Sequence, residues 1–313
     1  MMILCDIGGT FARLAQSGGG AISTIRKYAV ADYQTFEDAL AAFCSEENIP
    51  NQGTIAIATA AYEDGPKGKE IWRFVNRNKW VLDAAALKRA GWSVATILND
   101  FAAATWGLQN LAVDDFEVLK DGAAIDAPLC LMGPGTGLGL GYLMNGYVQR
   151  THGGHMLAAA LTEEQQQLIN TAQTLKEGGA IVSFENLASG PGLQNIYASL
   201  CKMRGIPNKF ERAEDILNNE DDALVKDALR LFHEFLGIFA QNAVITAHAY
   251  GGLYLTGGMV DRLKARNLFD FKSFEKFFVL KSVDSVTRAL DATPIYYVTH
   301  PSLAMKGLME SLA

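Results

Sequence analysis

The chain has 313 residues, 49% of them apolar and 19% charged, with a formal net charge of −7 at neutral pH. That length can bury a large core and predicts two domains or lobes, and the acidic balance excludes a nucleic-acid partner held by a basic surface. The four cysteines, Cys5, Cys44, Cys130 and Cys201, form no CxxC or zinc pattern, and the absence of any apolar run of 18 residues leads us to expect a cytoplasmic protein without a membrane partner.

The chain opens with an apolar strand, Ile3-Leu-Cys5, that ends in Asp6-Ile7 and turns through Gly8-Gly9-Thr10 into a second strand, Phe11 to Gln16. Paired glycines leave the backbone N–H groups open to an anion, and the threonine hydroxyl adds a donor. A carboxylate beside such a cradle is repulsive to phosphate unless a cation lies between, so Asp6 points to Mg²⁺ carried with a nucleotide. A third strand is expected over Ala21 to Val30, which makes the start an antiparallel meander. Thr35 with Asp38 caps a helix to about Glu47, and Ile55 to Ala58 suits a buried parallel strand. Residues 62–79 are polar and mixed, a loop with one strand at most. Asp83 caps a short helix that ends at Gly91. Val94 to Leu98 is expected as another buried strand, followed by Asn99-Asp100 and a helix over Phe101 to Leu108. Alternation after the meander gives an α/β class.

The segment Pro128 to Tyr142 repeats the opening plan: an apolar strand, the turn Gly135-Thr136-Gly137, and a second strand that ends at the hairpin signal Asn145-Gly146. From Thr162 the chain is mostly helical. Thr162 and Gln165 form a capping box before a helix to about Lys176. Phe184 to Gly192 reads as a helix end and a turn. Asp222 to Tyr250 carries Leu224, Val225, Ala228, Leu229, Phe232, Phe235, Leu236 and Phe239 on one face. Gly251 to Gly258 is a strand entering a Gly257-Gly258 turn that opens a helix. Pro294 to Val298 is the last strand, and a closing helix follows from Pro301.

Three Gly-rich turns at strand ends suit a nucleotide: hairpin turns for phosphates, a helix N-terminus for another polar edge. Asn99-Asp100 stands where open α/β sheets place their ligand crevice; Asp100 can accept a hydroxyl proton, or serve only as a helix cap. His152-Gly-Gly-His155 offers imidazoles and amides to a polyol more readily than to a metal. Glu185 is either a helix-face charge or an acceptor for two sugar hydroxyls. His233, His248 and His300 read as structural.

Taken in order, Asp6-Ile-Gly-Gly-Thr10 with Ala12-Arg13-Leu14-Ala15, Leu98-Asn-Asp-Phe101, Gly133-Pro-Gly-Thr-Gly-Leu-Gly139, Gly153-Gly-His155, Glu185 with Ser189-Gly-Pro-Gly-Leu193, and Gly251 to Gly258 resemble the bacterial ATP-dependent glucokinases of the actin-like ATPase superfamily. The zinc motif of the ROK sugar kinases is absent. The resemblance implies a two-lobed α/β fold of the actin-like (ribonuclease H-like) kind with a central cleft, the lobes being 1–112 plus 299–313 and 113–298. It implies ATP, Mg²⁺, transfer to a hexose 6-hydroxyl, and often a homodimer. By position, Asp100 would be the catalytic base. Asn99, His155, Glu185 and, at the departing position, His152 would bind sugar, with Asn76 as a further ligand and Asn78 as its competitor. Asp6 would place Mg²⁺ through water. Gly8, Gly9, Thr10, Gly135, Thr136 and Gly137 would contact phosphates, and Gly257-Gly258 the adenosine side.

Three positions depart from the family. His152 stands where it has Glu, Phe11 where it has Asn, and Thr59-Ala60-Ala61 where it carries a Pro. Two of the three lie where the sugar loops should be, and they bear on the sugar more than on phosphoryl transfer. The alternatives are a kinase for another hexose or an amino sugar, and a non-catalytic sugar or nucleotide sensor.

Overall fold

The computed structural model describes residues 2–64, 71–74, 79–281 and 283–312. They fall into two compact units, one of Met1–Ala112, Gly146–Val148 and His300–Ala313, the other of Val113–Asn145 and Gln149–Thr299.

The first unit begins with the expected hairpin, β1 (Met2–Ile7) and β2 (Phe11–Gly18), paired antiparallel. The expected third strand is divided into β3 (Ala21–Ile22) and β4 (Arg26–Ala29), both paired to β2. The division falls where Ser23 turns back on Gln16: its Oγ accepts the Gln16 N–H and its own N–H donates to the Gln16 carbonyl. Helix α1 (Phe36–Glu46) starts at a full capping box, with Thr35 accepting from Asp38 N–H and Asp38 accepting from Thr35 N–H. It packs Phe36, Leu40 and Phe43 onto Ile3, Cys5 and Ile7.

Strand β5 (Gly53–Thr59) runs parallel to β1, as its apolar run predicts. The stretch expected as loop instead carries β6 (Ala61–Glu63) and β7 (Ile71–Phe74), which with β8 (Val81–Asp83) make a small antiparallel sheet. Asp83 caps α2 (Ala84–Arg89) as expected. Strand β9 (Trp92–Asn99) is parallel to β5, but it is the edge of the sheet and only half-buried over much of its length. Its apolar composition alone does not distinguish an edge from a centre.

Helix α3 (Asp100–Trp106) follows directly. Its cap is Asn99, whose Oδ1 accepts from the N–H groups of Phe101 and Ala102, so Asp100 is the first helical residue and not the cap.

The second unit repeats the arrangement. Its sheet orders β10 (Phe116–Lys120), β15 (Ile295–Val298), β14 (Gly252–Leu255), β11 (Leu129–Pro134), β12 (Leu138–Met144) and β13 (Tyr147–Arg150). An antiparallel hairpin, β11–β12, is flanked by the parallel strands β14 and β15. The first sheet has the same plan, β2–β1 followed by β5 and β9. Asn145 and Gly146 both have positive φ, as a two-residue hairpin turn requires.

Helix α4 (Glu163–Leu175) carries the expected Thr162–Gln165 capping box. Ser189-Gly-Pro-Gly192 starts a helix, α5 (Gly190–Arg204), rather than ending one. Ser189 is its N-cap and Pro191 occupies the first turn, where a missing N–H costs nothing. After α6 (Ala213–Leu217), the long α7 (Ala223–Ala247) buries every apolar position its periodicity assigns to the core. His233 on α7 is fully buried, its Nδ1 toward the Leu229 carbonyl and its Nε2 accepting from Asp270 N–H. Burial pushes its pKa down to about 4, which suits a neutral structural imidazole. The helices α8 (Gly258–Ala265), α9 (Phe271–Phe278) and α10 (Asp284–Ala292) complete the unit.

The last helix, α11 (Leu303–Glu310), belongs to the first unit and packs on α3. The approach is close: a Cβ at Gly307 would stand 1.7 Å from the Ala103 carbonyl oxygen. This contact holds the helix that begins at Asp100. Gly307→Ala should therefore destabilise the protein by about 1–3 kcal/mol, measured by denaturant unfolding. An equally stable variant would show that α11 does not brace α3.

Candidate active site

In the first unit, three strands deliver polar residues at their carboxyl ends. Asp6, Ala58 and Leu98 are aligned across β1, β5 and β9. Asp100 follows two residues after Leu98. The charge of Asp6 reaches Asp100.

Asp6 accepts a hydrogen bond from Arg13 Nη1 at 3.0 Å, and its side chain is only 15% exposed. Burial pushes the Asp6 carboxyl up from its ordinary value, and the adjacent guanidinium pulls against that shift. Asp100 Oδ1 accepts from Asn99 Nδ2 at 3.1 Å and from Phe101 N–H at 2.8 Å. Its pKa is nevertheless pushed up to about 6, first by burial and then by the charge on Asp6. The Gly8-Gly9-Thr10 turn lies immediately after β1. Gly8 N–H donates to the Phe11 carbonyl and Thr10 receives Val30 N–H.

In the second unit, β11 and β14 end side by side, so the Gly135-Thr136-Gly137 and Gly257-Gly258 turns are neighbours. Thr256 N–H donates to the Met132 carbonyl, and Gly257 accepts from Asp261 N–H in the first turn of α8. The loop of His152 and His155 lies against β12, and it can do so only because its centre is Gly-Gly. A Cβ on Gly154 would sit 2.2 Å from the Leu138 carbonyl oxygen.

Glu185, on a single turn before α5, extends its carboxylate over the first of these turns. Its Oε2 accepts from Leu138 N–H at 2.9 Å, and its Oε1 is 3.8 Å from His155 Nδ1. It would meet a Cβ on Gly137 at 2.7 Å. The rings of His152 and His155 are 6.3 Å apart.

The expected residues are thus gathered as two sets. Asp6, Gly8, Gly9, Thr10, Asn99 and Asp100 belong to the first unit. Gly135, Thr136, Gly137, His152, His155, Glu185, Gly257 and Gly258 belong to the second. Asn76 and Asn78 lie outside the described residues. Two participants escape a reading by residue type. Arg13 was visible only as part of a motif, and strand register assigns it to Asp6. The Leu138 N–H that holds Glu185 carries no side-chain signal at all.

The arrangement is that of an actin-like sugar kinase. The fold matches a solved glucokinase from an Antarctic psychrotroph with a TM-score of 0.81, at 24% identity and covering 99% of this chain and 98% of that one. It also matches a ROK family glucokinase from Streptomyces griseus, solved with glucose and AMPPNP, with a TM-score of 0.62 at 18% identity, covering 100% and 98%. The profile of the glucokinase family matches residues 3–313, and the glucokinase of Pseudomonas paraeruginosa is 31% identical over 98% of this chain and 91% of its own length. The chain belongs to the glucokinase family.

The raised Asp100 pKa is a cost to the fold. The folded protein binds this proton more tightly than the unfolded chain, so stability falls as pH rises from 3.8 to about 6 and the loss persists above. Asp100→Asn removes the charge and should raise the melting temperature at pH 7.5 by roughly 2–4 °C. The gain should vanish below pH 3.8, where the wild-type carboxyl is neutral in both states. A variant less stable at pH 7.5 would refute the charge-burial account.

Proposed function

We propose that this protein transfers the γ-phosphoryl group of ATP to the 6-hydroxyl of glucose, with Asp100 as the base. The observation that carries the reading is the Asp100 carboxylate itself. It is held by two donors, beside a second carboxylate, with its pKa near 6. Such a group is ionised at neutral pH and basic enough to accept a proton from an attacking alcohol.

Phosphoryl transfer asks mainly for placement and charge neutralisation. Asn99 has committed its Oδ1 to capping α3 and one Nδ2 hydrogen to Asp100, which leaves its second Nδ2 hydrogen for a sugar oxygen. Glu185, His155 and His152 hold further sugar hydroxyls, with Glu185 kept in place by Leu138 N–H. Gly8, Gly9, Thr10, Gly135, Thr136 and Gly137 present backbone and hydroxyl donors to the phosphates, and Gly257-Gly258 the N-terminus of α8 to the adenosine side.

The residues also fit Mg²⁺. Arg13 occupies one Asp6 oxygen and leaves the other, a hard donor, beside the Asp100 charge. When bound there through water, the ion would neutralise phosphate charge. The lobes 1–112 plus 299–313 and 113–298 would each carry one set of these groups.

Asp100→Asn should lower kcat by about 10²–10⁴-fold in a coupled ADP-release assay, with nucleotide binding retained. In the wild type, log(kcat/KM) for the sugar should fall with unit slope below about pH 6. A variant with near-full turnover, or an acid limb absent near that pH, would remove Asp100 from the role.

His152 supplies one donor or acceptor per nitrogen where a carboxylate would supply two acceptors. His152→Glu should therefore raise the kcat/KM ratio of glucose over other hexoses and amino sugars, read on a sugar panel. An unchanged ranking would show that residue 152 does not read the acceptor.

A further inference from the structure

Phe11, the residue that replaces asparagine directly after Gly-Gly-Thr, carries a cation. The ammonium of Lys27 lies 3.8 Å from the centre of its ring. Strand register explains the meeting. Phe11 is paired with Ala29 of β4, so Lys27 is its diagonal neighbour, within reach of a long side chain on the same face. That face is the one Asp6 uses. Asp6 is aligned with Arg13, and Arg13 with Lys27, so the three charges form one row across β1, β2 and β4.

Within the row, Arg13 is spent on Asp6, and the neighbouring Arg26 is spent on Glu47 at 2.7 Å. Lys27 is exposed and makes no ion pair among the described residues; its partner is the ring. The result is a positive charge with no ion-pair partner among the described residues, held over the ring of the residue that follows Thr10. A cation resting on an exposed aromatic face is held weakly, by roughly 0.5–1 kcal/mol. It can therefore shift to an anion that arrives at the turn without losing a strong contact.

We propose that Lys27 is a phosphate-binding residue for the donor nucleotide, carried to the Gly8-Gly9-Thr10 turn by the ring of Phe11. This rests on the donor reading of that turn given above. The phosphate chain is the ligand, because the group offered beside the turn is a cation, and it already covers the exposed face of the Phe11 ring on which a base could otherwise stack. In this chain the aromatic residue at position 11 thus acts on the donor side, by holding a lysine, rather than on the sugar.

The test is Lys27→Met, which keeps the length of the side chain and removes its charge, with Lys27→Arg as the conservative variant and Phe11→Leu to remove the ring. Lys27→Met should raise KM for ATP about tenfold and leave KM for glucose within a factor of about two. By calorimetry with magnesium and without sugar, ADP affinity should fall about tenfold while AMP affinity stays. Lys27→Arg should recover most of the loss, and Phe11→Leu should show part of it even if Lys27→Met folds poorly.

Unchanged ATP and ADP parameters would overturn the proposal, as would equal losses for AMP or glucose, the mark of a merely structural role. A wild type that turns over no hexose would defeat the assignment of the reaction, and the ADP and AMP titrations would still decide the role of Lys27. A wild type that binds neither nucleotide would defeat both.

Discussion

Two carboxylates at the carboxyl ends of parallel strands are the constraint on which the first unit turns. Asp6 and Asp100 each lose hydration on folding, and the charge of Asp6 acts on Asp100. A fold optimised for stability alone would place apolar or neutral residues there. Here the repulsion is partly offset by Arg13, by the Asn99 side chain and by the Phe101 N–H. The remainder is left as a raised proton affinity. On the proposal that Asp100 is the base, that residual is useful, because a base must take up the proton of the alcohol and still be ionised at working pH. The surrounding architecture serves the same end. Alanines at 56 and 58 pack in one cluster with α3 and α11, and glycine at 307 lets α11 lie close on α3, the helix that begins at Asp100.

What could be read from the sequence follows from how local each determinant is. The capping boxes at Thr35 and Thr162, the Asp83 cap, the Asn145-Gly146 turn and the buried face of α7 depend on residues within a few positions of one another, and all are observed. The β–Gly turn–β unit repeated in both halves is also local, and the two sheets share its strand plan. The structure departs from the local reading where the determinant is tertiary. Whether β9 is central or at an edge depends on whether anything pairs beyond it. Whether Ser189-Gly-Pro-Gly192 ends or begins a helix depends on which side carries the continuing helix, and the Ser189 cap with Pro191 in the first turn was the signal that should have decided it. Among the described residues, the three short strands between Ala61 and Asp83 pair only with one another, and they have little apolar alternation to announce them.

The site divides in the same way. Asp100, the three glycine turns and Glu185 are noticeable as residue types at strand ends. Their electrostatic and hydrogen-bonded relations are not, because Asp6 and Asp100 lie more than ninety positions apart and meet only through the order β1–β5–β9. The pairing of Arg13 with Asp6 and the approach of Lys27 to Phe11 are likewise products of register. A slip of one residue in either pairing would turn these side chains to the other face of the sheet.

Glu185 shows how a glycine-rich turn can be shaped by a side chain far from it in sequence. The need for glycine at 137 is usually sought in a phosphate, yet here the space a Cβ would take is already occupied by a carboxylate oxygen. The same oxygen accepts the Leu138 N–H, and the other faces His155. Three segments, the turn after β11, the His152–His155 loop and the turn before α5, are thereby tied through one acidic group, in addition to the backbone bonds from Gly190 N–H to the Gly135 carbonyl and from Phe184 N–H to the Met156 carbonyl. Gly154 permits the loop to lie on β12 and Gly137 permits the carboxylate to lie on the turn; a larger residue at 154 would force the backbone to move, and one at 137 would displace the Glu185 carboxylate. In the second unit the glycines therefore determine where the charged groups can stand, as the small residues around α3 do in the first.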